Sequence, residues 1–323
     1  MPLVVGGLLA LALVAVAVVA LGSGDDGGSG GGGGDSDGPP EVTATIQVGG
    51  GPDGVAVGGD KVWVTQSQNA SVRPIDTASN RPGKAVSIGD NPDSVAADDE
   101  VVWVSLTGND AIRRIEGANG TPLPGASVGV GSAPEGISLG PQLVWVVNSG
   151  ADTVSRVDRA EAQAIGVPIG VGSEPIGVFV GDESVWVTNN GDNTVSRIDT
   201  ATSQVEGGPI RVGAKPRGIV EGGGSVWVAN TGDDTVTRLN AGTGEAEGDP
   251  IRVGDGPREV AFGEGSVWVT NSADNTVSRI DPESAGVQGA PIRVGRQPIG
   301  VAVGADAVWV ANLGDNTVSR IDP

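Results

Sequence analysis

Residues 184–199 read SVWVTNNGDNTVSRID, and nearly the same string returns at 225–240, 266–281 and 307–322. An apolar run, a turn of Asn, Asp and Gly, and a run alternating apolar with polar residues together describe a β-hairpin. The turn residues tolerate left-handed backbone angles, and the alternation gives the second strand one polar face. Just upstream, 177–181 (GVFVG) is another apolar run. Downstream, 209–213 (PIRVG) supplies a fourth strand, with Pro at its start where no ladder donor is lost. Four antiparallel strands in order form one blade.

Tryptophan counts the blades. All seven Trp occupy one repeat position, at Trp63, Trp103, Trp145, Trp186, Trp227, Trp268 and Trp309, with spacings of 40, 42, 41, 41, 41 and 41. A period near 41 built from short strands predicts an all-β, seven-bladed β-propeller over residues 41–323. The seventh unit ends at Pro323, after its third strand. Residues 43–49 (TATIQVG) match the PIRVG strand, so the N-terminal strand is expected to complete the last blade and hide both open edges.

Composition narrows the chemistry. With 56 Gly and 21 Pro in 323 residues the chain is turn-rich, and 38% hydrophobic residues in regular clusters make it a folded one. It has no His, Cys or Tyr, which excludes Ser-His-Asp and Cys-His nucleophilic sites, Cys/His zinc sites and thiol redox chemistry. A formal charge of -21 repels phosphate backbones, so nucleic acid is not an expected partner, and no cofactor is expected.

Residues 3–21 are uncharged and nearly all Leu, Val or Ala. As a helix they would rise about 28 Å, enough to cross a bilayer core. They are read as a transmembrane helix or signal anchor (1–21), with a cleaved signal and secretion as the alternative. The four acids Asp25, Asp26, Asp35 and Asp37 precede the first cation, Lys61, which favours an extracytoplasmic propeller on a single-pass membrane protein. Residues 22–40 (GSGDDGGSGGGGGDSDGPP) form a flexible tether. A chain starting directly on a span points to an upstream domain beyond this sequence.

The quoted motifs resemble YVTN/NHL-type propeller repeats. The order P-x-G-V-A-V then V-W-V-T-N is similar to the virginiamycin B lyase-like group, over residues 42–323. The resemblance implies the propeller fold. For the lyase group it also implies a catalytic His with a divalent cation, which a chain without His does not carry over. Membrane-spanning bacterial Ser/Thr kinases display similar propellers. The order span, tether, propeller is what that resemblance implies for the sensor end of such a receptor, although no kinase motif is present.

Most repeated polar residues read as architecture. Asp192-Asn193, Asp233-Asp234, Asp274-Asn275 and Asp315-Asn316 are too dispersed to converge on one ion and are expected to hold turns, so no metal site is assigned. Asn148, Asn189, Asn230, Asn271 and Asn312 are likewise expected to form turns. Arg156, Arg197, Arg279 and Arg320, each two residues before an Asp and so on one strand face with it, are expected to make inter-strand or inter-blade ion pairs. The tryptophans are expected to pack between blades.

Function should appear where the repeat varies. The loops into the innermost strands carry Asp53, Asp93, Glu135 and Glu174 in the earlier copies and Lys215, Arg217, Arg258 and Arg296 in the later ones. These eight form the candidate ligand-binding rim, acidic on one arc and basic on the other, suited to a zwitterionic or mixed-charge ligand such as a peptide or cell-wall fragment. No catalytic residue is assigned. The expectation is a monomeric binding or sensor propeller for a peptide, cell-envelope ligand or protein. The alternatives are a metal-dependent lyase or hydrolase and a structural envelope scaffold.

Overall fold

Each copy of the repeat folds as an antiparallel sheet whose strands lie in chain order from the channel outward. In the fourth blade these are Pro175–Val180, Ser184–Asn189, Thr194–Asp199 and Val205–Arg211. The computed structural model describes residues 38–323, without the side chains of 124–126. The apolar segment 3–21 and the tether up to residue 37 lie outside the described residues. Among the described residues no helix is long and apolar enough to cross a membrane.

Seven such sheets are present, and the last is closed from the other end of the chain. Its own strands are Pro298–Val303, Val308–Asn312 and Thr317–Asp322; the outer strand is Glu41–Gln47, antiparallel, with Gln47 opposite Thr317 and Glu41 opposite Asp322. The outer strands are the least regular. Those of the first and third blades are split in two, and those of the fifth and sixth shrink to Ile251–Arg252 and Ile292–Arg293. In the fourth blade the strand runs through Pro209 at a register shift between Glu206 and Ile210, so this Pro sits at a bulge on an edge instead of at the strand's start.

The core lies between blades. Trp186 packs with Ile219, Val226, Val228 and Leu239 of the next blade, and Trp309 packs onto Val55, Val62, Val64 and Ile75 of the first, which closes the circle. Six of the seven indoles are fully enclosed. Each anchors a seam by apolar burial, and truncating such a side chain to Ala costs about 3–5 kcal/mol.

The strand-face arginines meet the expectation of inter-strand ion pairing at Arg197 and take other partners elsewhere. Residues opposite each other on the second and third strands pair Trp186 with Arg197, Trp227 with Arg238, Trp268 with Arg279 and Trp309 with Arg320. These guanidinium groups stand 5.2–5.8 Å from the ring centroids, within cation–π range. Only Arg320 pairs with its own Asp, Asp322, at 2.7 Å. Arg197 pairs with Glu206, Arg279 donates to Ser266 Oγ, and Arg156 reaches the Val167 carbonyl. The reason is position: Asp158 and Asp199 end their strands, Asp281 directly follows its own, and their carboxylates accept N–H groups of the turns that follow.

The asparagines after Trp have a second role besides the turn. Asn189 is fully buried opposite Thr194, and its Nδ2 donates to Thr194 Oγ1 and Ser196 Oγ, both at 3.0 Å. Asn148, Asn230, Asn271 and Asn312 repeat this geometry. Their side chains tie the second strand to the third inside the blade, while the carbonyls of Asn148, Asn230 and Asn312 accept the N–H three residues on and so hold the turn, as expected.

Candidate functional site at the channel mouth

Every innermost strand begins with Pro at 52, 92, 134, 175, 216, 257 or 298, and each has a register shift over the next two residues. A β-bulge there re-aims one side chain per blade. The residue before each Pro is left-handed, with φ between 48 and 65°. The residue two after Pro is usually Gly, because the neighbouring blade leaves no room. A Cβ on Gly177 would lie 2.2 Å from the Arg217 carbonyl oxygen.

Hydroxyl groups one blade back fix this backbone. Thr188 Oγ1 accepts the Gly177 N–H at 2.8 Å and donates to the Arg217 carbonyl at 2.7 Å. Thr65 does the same between Gly54 and Asp93, and Thr270 between Glu259 and Ile299. The side chains on the bulges are therefore carried by a rigid frame.

The residue after Pro, read round the seven blades, is Asp53, Asp93, Glu135, Ile176, Arg217, Arg258 and Ile299. Three acids occupy consecutive blades and two arginines occupy consecutive blades opposite, with an isoleucine at each boundary. The central cavity, about 250 Å³, is lined by Asp53, Asp93, Arg217 and Arg258 together with Glu259. All of these are half-buried, so each keeps a face toward the channel. Among the described residues neither Arg217 nor Arg258 has an ion pair or hydrogen bond through its guanidinium.

Enclosure shifts the titration of the ring. Burial raises the Asp93 carboxyl to about 8, with the Asp53 and Glu135 carboxylates adding to the effect. Burial likewise raises Glu259 to about 7 against the pull of Arg217. Asp53 is raised by burial, held back by Arg217 and Arg258 across the channel. Arg258 is lowered by burial and by Arg217 beside it.

The eight rim residues divide. Asp53, Asp93, Arg217 and Arg258 line the cavity, and Glu135 acts on Asp53, Asp93 and Glu259 through its charge. Glu174 and Lys215 instead occupy exposed left-handed turn positions before Pro, where their N–H groups donate to Asp152 Oδ1 and Asn193 Oδ1. Arg296 is exposed and pairs with Asp315 at 2.6 Å. These three stand outside the ring because they precede Pro, and the bulge turns inward residues that follow it.

Glu259 was not among the sequence candidates. Its signal is a break in the repeat: the equivalent position is Gly54, Gly136, Gly177, Gly218 and Gly300 in five copies and Ser94 in another. The Glu259 carboxylate lies back over Gly218, with Oε2 2.7 Å from where a Cβ on that glycine would stand.

The turn carboxylates have backbone roles. Asp192, Asp233, Asp274 and Asp315 accept the N–H groups of Ser173, Ala214, Asp255 and Arg296 within their own blades at 2.6–2.7 Å. Among the described residues no three His, Cys, Asp or Glu side chains are grouped to hold a metal ion.

No family model matches the chain, and no curated protein matches it. Solved structures do. A streptogramin B lyase aligns at 20% identity with a TM-score of 0.74, over 86% of this chain and 97% of the lyase. The virginiamycin B lyase of Staphylococcus aureus aligns at 18% with a TM-score of 0.75, over 88% and 100%. A chain of the mitotic checkpoint complex aligns at 16% with a TM-score of 0.77, over 95% and 99%. A fold shared by lyases and a checkpoint assembly, at this identity, establishes the seven-bladed propeller and leaves the activity to be argued from the site.

Proposed function

We propose that this chain is a binding or sensing module and not an enzyme. It is a monomeric propeller of YVTN/NHL type, held outside the cell membrane by residues 3–21 and the Gly-rich tether. It recognises a peptide, a cell-envelope component or a protein at its channel mouth, and in a longer chain it would be the sensor end of a receptor such as a Ser/Thr kinase. One observation carries this reading. The repeat is nearly constant in its core yet varies in charge where the bulge turns side chains into the channel, and among the described residues Arg217 and Arg258 form no ion pair there. Unpaired guanidiniums in an enclosed site are strong receptors for anionic oxygens.

The test is retention of small molecules extracted from the protein's own cells, read by mass spectrometry after washing and release. The wild-type chain should keep at least one compound that the double variant Arg217→Glu/Arg258→Glu loses. An identical retained set for both proteins rules out the mouth as the recognition face.

A lyase or hydrolase is the second reading, favoured by the two carboxyls whose titration burial moves toward neutral, a property of acid–base catalysts. It requires turnover that falls by about a hundredfold or more in Asp93→Asn and Glu259→Gln, with a pH profile that tracks both groups.

A further inference from the structure

We infer that the channel mouth takes a small dipolar molecule carrying a cationic amine at one end and a carboxylate at the other. The amine sits against Asp53, Asp93 and Glu135, the carboxylate sits against Arg217 and Arg258, and Glu259 gives the site its preference for the cationic end. This rests on the proposed binding role of the mouth and specifies its ligand.

Four features of the ring point to this class. Like charges are grouped on neighbouring blades, so the cavity presents a fixed dipole instead of a mosaic of ion pairs. Ile176 and Ile299 separate the two arcs and offer apolar flanks for the carbon chain between the ends. A volume of about 250 Å³ lies just below the usual range of small-molecule pockets, which suits an amino acid or dipeptide and not a folded segment. Glu259 adds a fourth carboxyl to three, against two guanidiniums, so the fully ionised ring carries excess negative charge and asks for a ligand with an accessible cation.

The same surroundings couple binding to protons. Glu259 faces Arg217 from the fifth blade, Arg258 beside it in the sixth, and Asp53, Asp93 and Glu135 from the first three; the fourth and seventh blades offer only Ile176 and Ile299 at this level. With Asp93 raised to about 8 and Glu259 to about 7, both carry protons for part of the time at neutral pH. An entering ammonium favours their ionised forms and expels those protons. Affinity should therefore rise with pH from 6 to about 8.5 and level off once both are ionised.

Isothermal titration calorimetry on the full chain tests this with β-alanine, 4-aminobutyrate and 6-aminohexanoate, against hexylamine and hexanoate as singly charged probes. At least one amino acid should bind about tenfold or more tightly than either singly charged probe. Arg217→Gln and Asp53→Asn should each weaken it by about tenfold, with unchanged tryptophan emission showing that the ring is intact. Measured in two buffers of different ionisation enthalpy at pH 7, binding should release protons, and Glu259→Gln should reduce both that release and the preference for the amino acids over hexanoate. Equal binding of hexylamine and the amino acids makes the mouth a plain cation site and overturns the inference, as does failure of every amino acid to bind. If the probes fail while retention of cell extract still depends on Arg217 and Arg258, the ligand class is wrong and the binding role stands. If that retention is also insensitive, both fall.

Discussion

The side-chain oxygen of Asn316, in the last blade, accepts the backbone N–H of Gly51 at the approach to the first blade, 2.8 Å away. The contact spans the seam where the ring closes, and it recurs between neighbouring blades. Asp110 receives Ala133, Asp152 receives Glu174, Asn193 receives Lys215, Asp234 receives Gly256, and Asn275 receives Gln297, at 2.8–2.9 Å. Acceptor and donor residues are all left-handed, which explains why Asn and Asp hold the acceptor side. The first blade places Ala70 at this position, left-handed at φ 48°, and an alanine has no side-chain oxygen to offer the Asn91 N–H.

The seam between the first and second blades therefore lacks a latch that can be installed. Ala70→Asn should stabilise the chain by about 1 kcal/mol, and Asn316→Ala should destabilise it by a similar amount. Urea unfolding followed by tryptophan fluorescence measures both. A loss of stability in Ala70→Asn would show that this seam is spaced differently from the others.

Closure by the first strand gives a second expectation. Removing residues 1–47 exposes the whole edge of Thr317–Asp322, whose ladder partner is Glu41–Gln47. Size-exclusion chromatography should then show association or aggregation, as an open, regular edge strand dictates. A well-behaved monomer would mean that the irregular outer edges of the other blades are protection enough.

Trp309 tests the apolar side of the same seam. It is fully buried against Val55, Val62, Val64 and Ile75, so Trp309→Ala should cost about 3–5 kcal/mol. The loss should appear in the denaturation midpoint.

The channel carboxyls predict a pH dependence of stability with a definite sign. Asp93 and Glu259 have folded values of about 8 and about 7, against unperturbed values of 3.8 and 4.5. The folded chain thus holds protons that the unfolded chain releases. Their contribution is complete below about pH 4 and is lost as pH rises through 7 and 8. Thermal midpoints should fall between pH 6 and 9, by about 2–4 °C for each kcal/mol lost, and Asp93→Asn/Glu259→Gln should flatten that limb. The acid limb should survive in the double variant, because Asp76, Asp199 and Asp281 are held low by hydrogen bonds from their own turns.

Glu221 offers a contrast away from the channel. It accepts the Trp186 Nε1–H at 3.0 Å, yet burial raises its carboxyl, where Val57, Val180 and Val303 stand in other blades. Glu221→Gln keeps an acceptor for the indole and removes the charge. It should therefore stabilise the chain at pH 8 and leave it unchanged near pH 4, as read by the unfolding midpoint at each pH.

Blade number, strand order and the closing strand were legible in the sequence because each depends on spacing alone. The Trp period counts the blades, and TATIQVG matches PIRVG wherever the chain begins. Side-chain partners were less legible, since they depend on which neighbour a twisted strand presents. Arg197 was expected to pair with a charge across strands, and it does so with Glu206, yet nothing in its spacing announced its place over Trp186 across the ladder. Asn193 was assigned to its own turn, yet it reaches Lys215 in the next blade, a contact that no intrablade periodicity encodes. Within the rim, Arg217 and Lys215 look equivalent as letters; only the bulge after Pro216 turns one inward and leaves the other in solvent.

That bulge has an evolutionary corollary. Pro, the following small residue and the hydroxyl behind them determine the local backbone, while the residue between is almost free of packing duties. The seven positions behave as interchangeable sockets on a common chassis, able to hold acid, base or isoleucine without disturbing the tryptophan seams. Recognition can then be rewritten by single substitutions, one blade at a time, and two proteins with the same ring of strands can diverge completely in what they capture.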